Sequence, residues 1–266
     1  MLAQRLLTAA VGIPLIAGVI LLGGPVYDSV VAGVLAVAAL EFCTLGDERP
    51  LWRPQPYELL APLGAVVLVA VASEGDDEWT GPLTGAIWFA LLVATASRVS
   101  LRFRPQWLSV PAAVLYVGFL GAHLVLLRDL DGDGKWVFLP ILATWTTDTF
   151  AYGVGRQIGR TKIAPRISPG KTLEGTAAGF IGGFAGVIVI AEVLDLPMSL
   201  GEEALLGALL PATAVLGDLV ESHVKRSAGV KDTSELVPGH GGFLDRLDSL
   251  LFTVPLVYYF AIWVVS

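Results

Sequence analysis

Charge and cysteine are scarce in this chain. Charged residues account for 15% of its 266 positions, and cysteine occurs once, at Cys43. A single thiol excludes an internal disulfide framework and a cysteine-rich zinc site. Soluble globular chains carry about 25% charged residues, and about 45–50% apolar ones with glycine counted in. Here the apolar set without glycine already reaches 55%, 30 glycines come on top, and the mean hydropathy is +0.71. One water-soluble domain of this size could not cover so much apolar surface, which excludes an ordinary soluble enzyme. The same figures exclude an intrinsically disordered chain. Low-complexity tracts, a repeat period and a separate soluble domain are also missing.

The apolar residues fall in nine blocks: 6–24, 26–45, 58–73, 81–97, 110–127, 136–154, 173–194, 204–220 and 247–265. A lipid-spanning helix needs about 20 mostly apolar residues. Backbone in lipid must satisfy its own hydrogen bonds, so the blocks read as helices. The third and fourth are marginal in length. The alternation of a barrel strand is missing. The expected fold is therefore an all-α polytopic membrane protein with about nine transmembrane helices. The first block follows Arg5, as a secretory signal would. No A-x-A-like cleavage pattern comes after it and eight further blocks do, so it reads as a span.

Basic residues set the orientation. With the N-terminus in the cytoplasm, 15 of the 17 lysines and arginines face inward. Only Arg128 and Lys135 fall outside, together with the acidic run Glu74, Asp76, Asp77 and Glu78. This predicts a multi-pass protein of the cell membrane with a cytoplasmic N-terminus and an outside C-terminus. Residues 1–134 read as five scaffold spans facing lipid. Residues 135–266 read as four catalytic spans, with cytoplasmic loops at 155–172 and 221–246.

Ionisable residues inside a span cost about 2.5–3.5 kcal/mol each on insertion scales, so they mark function by default. The first half has few. Asp28 and Glu41 lie near span ends and are expected to reach the interface. His123, in an apolar run, is expected to be a hydrogen-bonded packing residue. The second half differs. Thr144, Thr147, Asp148, Ala151, Tyr152 and Gly155 share one helical face. That face reads either as the wall of a polar pocket open to the cytoplasm or as a buried carboxylate capped by threonines and Tyr152. The seventh block carries Gly175, Gly179 and Gly183, a small-xxx-small spacing that lets helix backbones approach closely. Just before it runs Ser168-Pro169-Gly170-Lys171-Thr172-Leu173-Glu174-Gly175. Pro169 and Gly170 predict a turn there, Thr172 predicts a helix cap, and Lys171 then stands beside a positive helix N-terminus.

In the eighth block, Asp218, Glu221, Ser222 and Lys225 form one polar stripe at i, i+3, i+4, i+7. The loop after it leads to Asp245 and Asp248 at the start of the last span. Asp218, Asp245 and Asp248 are the candidate metal ligands, because Mg²⁺ prefers oxygen donors. Gly239, Gly241 and Gly242 are expected to leave backbone N–H groups free for phosphate. Two decoys are set aside. Gly170-Lys171-Thr172 resembles the end of a phosphate-binding P-loop, but Arg166 stands where the upstream glycine belongs and no βαβ context exists. Asp129–Gly134 opens like an EF-hand, but its twelfth position is Pro140 where glutamate is required, so it reads as a solvated turn.

The stretch Ser222-His223-Val224-Lys225-Arg226, then Lys231-Asp232, then Pro238-Gly239-His240-Gly241-Gly242-Phe243-Leu244-Asp245-Arg246-Leu247-Asp248 resembles the signature of the phosphatidate cytidylyltransferases, or CDP-diacylglycerol synthases. Residues 168–175 and 148–159 are similar to the same family. The long signature has more than a dozen fixed residues, which makes it specific. Length and span number resemble that family along the whole chain, while the motifs are confined to residues 145–250. The resemblance implies that CTP and phosphatidic acid give CDP-diacylglycerol and pyrophosphate, with Mg²⁺ and a second cation, K⁺ or Mg²⁺. It implies Asp218 and Asp245 as metal-binding positions and Lys225, Arg226, Lys231, His240 and Arg246 as positions serving the phosphates. On that basis Asp218, Asp245, Lys225 and Lys231 are the expected catalytic residues. Asp148, Ser168, Lys171, Thr172, Glu174, Ser222, Arg226, His240, Gly241, Gly242 and Arg246 are implied to bind substrate. It further implies membrane lipids as surroundings, a homodimer, no nucleic-acid partner, and a site at the cytoplasmic face. The competing class is a polytopic transporter, which usually places polar sites near the midplane with symmetry between halves. Here they lie at one face and in one half. The D-G-x-x-A-R…G-x-x-x-D-x-x-x-D motif of CDP-alcohol phosphotransferases is missing.

Overall fold

A computed structural model describes residues 2–47, 49–74, 80–96, 106–237 and 241–265. A helix falls on each apolar block. They are α1 (Leu2–Leu22), α2 (Gly24–Cys43), α3 (Leu60–Ala72), α4 (Thr80–Ala96), α5 (Gln106–Arg128), α6 (Lys135–Ile158), α7 (Leu173–Leu194), α8 (Leu200–Ala228) and α9 (Leu244–Val264). Five of them, α2, α5, α7, α8 and α9, have the length and apolarity to cross a membrane. Helix α6 is 24 residues long, yet its threonines and Asp148 make it too polar to join them. The property that lowers its hydropathy is the polar face singled out above.

Local chemistry sets the helix ends. The Oδ1 of Asp131 accepts the N–H groups of Asp133 and Lys135, and its Oδ2 accepts that of Trp136, which starts α6. The EF-hand-like turn is thus a helix entry. Ser199 and Glu202 form a capping box at the start of α8. Gly229, at φ +81°, closes the other end of α8 in the left-handed conformation. Helix α8 runs 29 residues, or about 43 Å at 1.5 Å per residue. That exceeds a hydrocarbon core of about 30 Å. Its last two turns therefore occupy the stretch from 221 that was expected to be loop.

Between α6 and α7 lies a short antiparallel hairpin, β1 (Lys162–Ala164) and β2 (Ser168–Thr172). The reversal falls at residues 165–167, and Pro169 and Gly170 sit inside β2. The predicted turn at Pro169-Gly170 is corrected: Pro165 and its two followers make it instead. The cap prediction holds, since Thr172 Oγ1 accepts Gly175 N–H at 3.2 Å.

Helices α6, α7 and α8 pack as neighbours, and α9 lies against α5, α6 and α8. The glycine stripe makes the α6–α7 approach possible. A Cβ on Gly175 would sit 2.7 Å from the Ala151 carbonyl oxygen, and one on Gly183 2.7 Å from Pro211 Cγ of α8. Leu120, Leu139, Leu206, Leu210, Leu251 and Phe252 fill the core. Large apolar side chains such as Leu15, Phe89, Ile181 and Val193 point outward, the inverse of a water-facing surface. His123 is buried and contacts Tyr259 Oη at 2.8 Å and the Phe119 carbonyl at 3.0 Å, the packing role expected of it.

Candidate active site

The polar residues of the second half gather where α6 and α8 finish and α7 and α9 begin. Two clusters form there. In the first, Lys171 Nζ on β2 meets Asp218 Oδ2 on α8 at 2.5 Å. Ser222, one turn on, donates to Asp218 Oδ1 at 3.1 Å. Asp148 of α6 lies close enough to Asp218, Lys171 and Arg246 for their charges to interact. Asp248 of α9 interacts in the same way with Asp218, Asp148 and Lys225. Close approach of α8 to α9 brings this about, since a Cβ on Gly217 would lie 3.0 Å from the Asp248 carbonyl oxygen. Asp148, Asp218 and Asp248, with Lys171, are thus within electrostatic reach of one another, from four elements.

The second cluster is closed. Lys225 Nζ lies 2.7 Å from both Glu221 Oε2 and Asp245 Oδ1. The other oxygen of Asp245, Oδ2, accepts Thr233 N–H at 2.9 Å, Thr233 Oγ1 at 2.9 Å and Gly242 N–H at 2.8 Å. Gly241 has φ +82°, and a Cβ there would sit 2.6 Å from Asp245 Oδ2, so only glycine fits. The N–H of Gly242, expected to be free for phosphate, is engaged by Asp245 instead.

Other site candidates serve the frame. Glu174 accepts the N–H groups of Arg160 and Thr161 at 3.0 and 3.2 Å and so ties the exit of α6 to the start of α7. Arg226 Nε donates to the Ile167 carbonyl at 3.2 Å and pins the hairpin turn to α8. Ser168 pairs with Ala164 across the hairpin. Lys231 and Arg246 are exposed. Gly239 and His240 lie outside the described residues.

Sequence reading missed Glu41. It was expected at the interface, but it is fully buried and accepts Ser234 Oγ at 2.6 Å and Leu244 N–H at 2.8 Å. The one signal that pointed to it was an acid inside an apolar block. Glu221 was read only as part of a stripe; it is 1% exposed and has Lys225 as its ion-pair partner.

Among the described residues, no three of Asp, Glu, His and Cys converge as a metal-holding set. Mg²⁺ is commonly bound through one or two carboxylates plus substrate phosphates. Asp218 and Asp248, hard oxygen donors that repel each other across the first cluster, fit that pattern. Asp245, whose oxygens accept from Lys225, Thr233 and Gly242, is a third hard oxygen donor, and Asp218 likewise has Ser222 and Lys171 on its two oxygens.

Comparison with known proteins agrees with this chemistry. The chain matches the Cytidylyltransferase family over residues 3–264. A Synechocystis protein named phosphatidate cytidylyltransferase is 33% identical over 97% of this chain and 96% of its own length. A Pseudomonas aeruginosa protein of the same name is 33% identical over 96% of this chain and 95% of its own. A chloroplastic Arabidopsis thaliana protein, phosphatidate cytidylyltransferase 5, is 31% identical over 97% of this chain and 71% of its own. On a match that runs nearly end to end, the chain belongs to the Cytidylyltransferase family.

Proposed function

We propose that this chain is an enzyme that joins CTP to phosphatidic acid, giving CDP-diacylglycerol and pyrophosphate. Family membership and the names of the relatives support the reading. The observation that carries it is the first cluster: Lys171 paired with Asp218, with Asp148 and Asp248 in electrostatic reach, at one end of an apolar bundle. Such a site suits a lipid headgroup at a membrane surface meeting a water-borne nucleotide.

The chemistry follows from charge. A phosphate monoester with a second pKa of about 6 is mostly dianionic at pH 7. It needs no general base to attack the α-phosphorus of CTP and expel pyrophosphate. The difficulty is bringing two polyanions together, so catalysis is mainly positioning and electrostatic stabilisation. Lys171 turns from Asp218 to the triphosphate, and exposed Lys231 and Arg246 add positive charge beside it. Asp218 and Asp248 would hold Mg²⁺, with Asp148 as neighbour to a second cation, K⁺ or Mg²⁺. When bound, such a cation neutralises the phosphates and stabilises the leaving oxygen. Asp245 would be the third carboxylate of that cation site, and its contacts with Lys225 and Thr233 also hold the loop in shape. The acyl chains lie between α6, α7 and α8. The same reading includes nine spans in the cell membrane, a cytoplasmic N-terminus and site, and a homodimer.

The test is incorporation of CTP labelled at its α-phosphorus into extractable lipid. Label enters lipid only when phosphatidic acid and a divalent cation are both supplied. No labelled lipid under those conditions, with the nucleotide moved across the membrane instead, would establish the transporter.

A further inference from the structure

We propose that Glu41 is a positioning residue, by which the N-terminal half holds residues 233–234 and 243–244 in their working arrangement. The inference rests on the activity proposed above. Glu41 stands on α2, about 190 residues from its partners in sequence. Its Oε1 accepts Ser234 Oγ at 2.6 Å and Phe243 N–H at 3.2 Å. Its Oε2 accepts Leu244 N–H at 2.8 Å and lies 3.3 Å from Thr233 Oγ1. Residues 233–234 and 243–244 thus converge on one carboxylate.

A fully buried carboxylate is costly unless donors surround it. No lysine or arginine pairs with Glu41 among the described residues. Three neutral donors, Ser234 Oγ and the N–H groups of Phe243 and Leu244, supply what a cation would, and they are available together only when residues 234 and 243–244 lie against α2. The contact also reaches the lysine of the second cluster. Thr233 Oγ1 stands between Glu41 Oε2 at 3.3 Å and Asp245 Oδ2 at 2.9 Å, and Asp245 in turn holds Lys225 at 2.7 Å. The space is tight: a Cβ on Gly242 would be 2.6 and 2.7 Å from the two Glu41 oxygens. Residues that orient a neighbouring functional group act in this way, and their loss typically costs about 10–100-fold in activity.

The test compares E41Q with the wild-type chain in lipid or detergent, reading turnover and amide hydrogen exchange together. Glutamine keeps the size but turns a donor toward the donors of the loop. The expected outcome is a kcat lower by about 10–100-fold, a KM for phosphatidic acid within about twofold, and faster exchange at Phe243 and Leu244 only. A general structural role would instead speed exchange across α5 and α9. S234A removes one donor and leaves α2 intact, so it carries the test if E41Q fails to insert; it gives the same pattern, smaller. Unchanged exchange at Phe243 and Leu244, or faster exchange with normal turnover, overturns the proposal. A wild-type chain without CTP-dependent lipid labelling overturns the activity and this proposal with it. Labelling by the wild type and an unaffected E41Q overturns this proposal alone.

Discussion

Two lysine–carboxylate clusters stand a few helix turns apart in this chain, with similar contacts and opposite surroundings. Lys171 and Asp218 keep 18% and 27% of their side chains exposed. Lys225 lies between Glu221 at 1% and Asp245 at 5%. Pair distances of 2.5 and 2.7 Å do not separate them; accessibility does. The half-buried Lys171–Asp218 pair is weaker than a fully buried one, which is what a phosphate site requires of a resting lysine. Lys225 itself is 13% exposed, and the difference lies in its carboxylates. A buried pair contributes shape, because breaking it strands a charge. The open pair is suited to substrate and the closed one to holding the frame.

The largest effect should come from breaking the closed cluster. Lys225→Met leaves Glu221 and Asp245 buried without their cation, and losing one partner of such a pair costs about 3–5 kcal/mol. A thermal unfolding scan in detergent should show a much lower midpoint, with turnover lost as well. A stable, merely inactive Lys225→Met protein would reverse the assignment of the two clusters.

The open cluster should respond in the opposite sense. Asp218→Asn keeps the volume and removes the charge that holds Lys171 and, in the proposed reading, the cation. Removing one preorganised electrostatic group costs about 10²–10³ in kcat. The midpoint should move by no more than about 0.5 kcal/mol in stability, as at exposed sites. Near-normal turnover would remove Asp218 from the cation site.

A third variant tests the join between the closed cluster and the first half. Gly242→Ala drives a methyl group against Thr233 Oγ1 and the Glu41 oxygens, the latter at 2.6 and 2.7 Å. Overpacking of this kind costs about 1–3 kcal/mol. A modest fall in midpoint is expected, with loss of turnover. E41A in the same chain does not restore turnover, because Thr233 Oγ1 still blocks the methyl group and the carboxylate is lost as well.

How much of this was legible beforehand follows from the physics of each feature. Apolar blocks long enough for lipid produced helices in every case, because backbone in a low-dielectric setting has few other solutions. The polar stripe Asp218–Lys225 was readable since it depends only on helical period, and α8 does continue through it. The hairpin turn was misplaced because Pro169 and Gly170 are also tolerated in a two-stranded ribbon, where the partner needs few of their N–H groups. Glu41 was misread for a different reason. Its partners lie about 190 residues away, and local pattern carries no information on such contacts. Likewise Gly242 was legible as a backbone donor, but that the donor would meet Asp245 is a fact of tertiary structure.

The smallest expected effect separates the clusters without any substitution in the frame. Screening shortens the reach of exposed charges, from a Debye length of about 10 Å at ~0.1 M salt to about 3 Å at ~1 M, and leaves buried pairs nearly untouched. The open cluster should therefore bind CTP less well as salt rises, with KM increasing a few-fold while the unfolding midpoint stays put. Lys171 makes this specific. In Lys171→Met the basal KM is already high and its rise with salt is shallower, because the cation whose attraction salt screens is gone. Equal slopes in wild type and Lys171→Met, measured from CTP saturation curves at several salt concentrations, would place the triphosphate elsewhere. A midpoint that falls with salt as steeply as affinity does would show that the closed cluster is no better shielded than the open one, and the division of labour between the two lysines would fail.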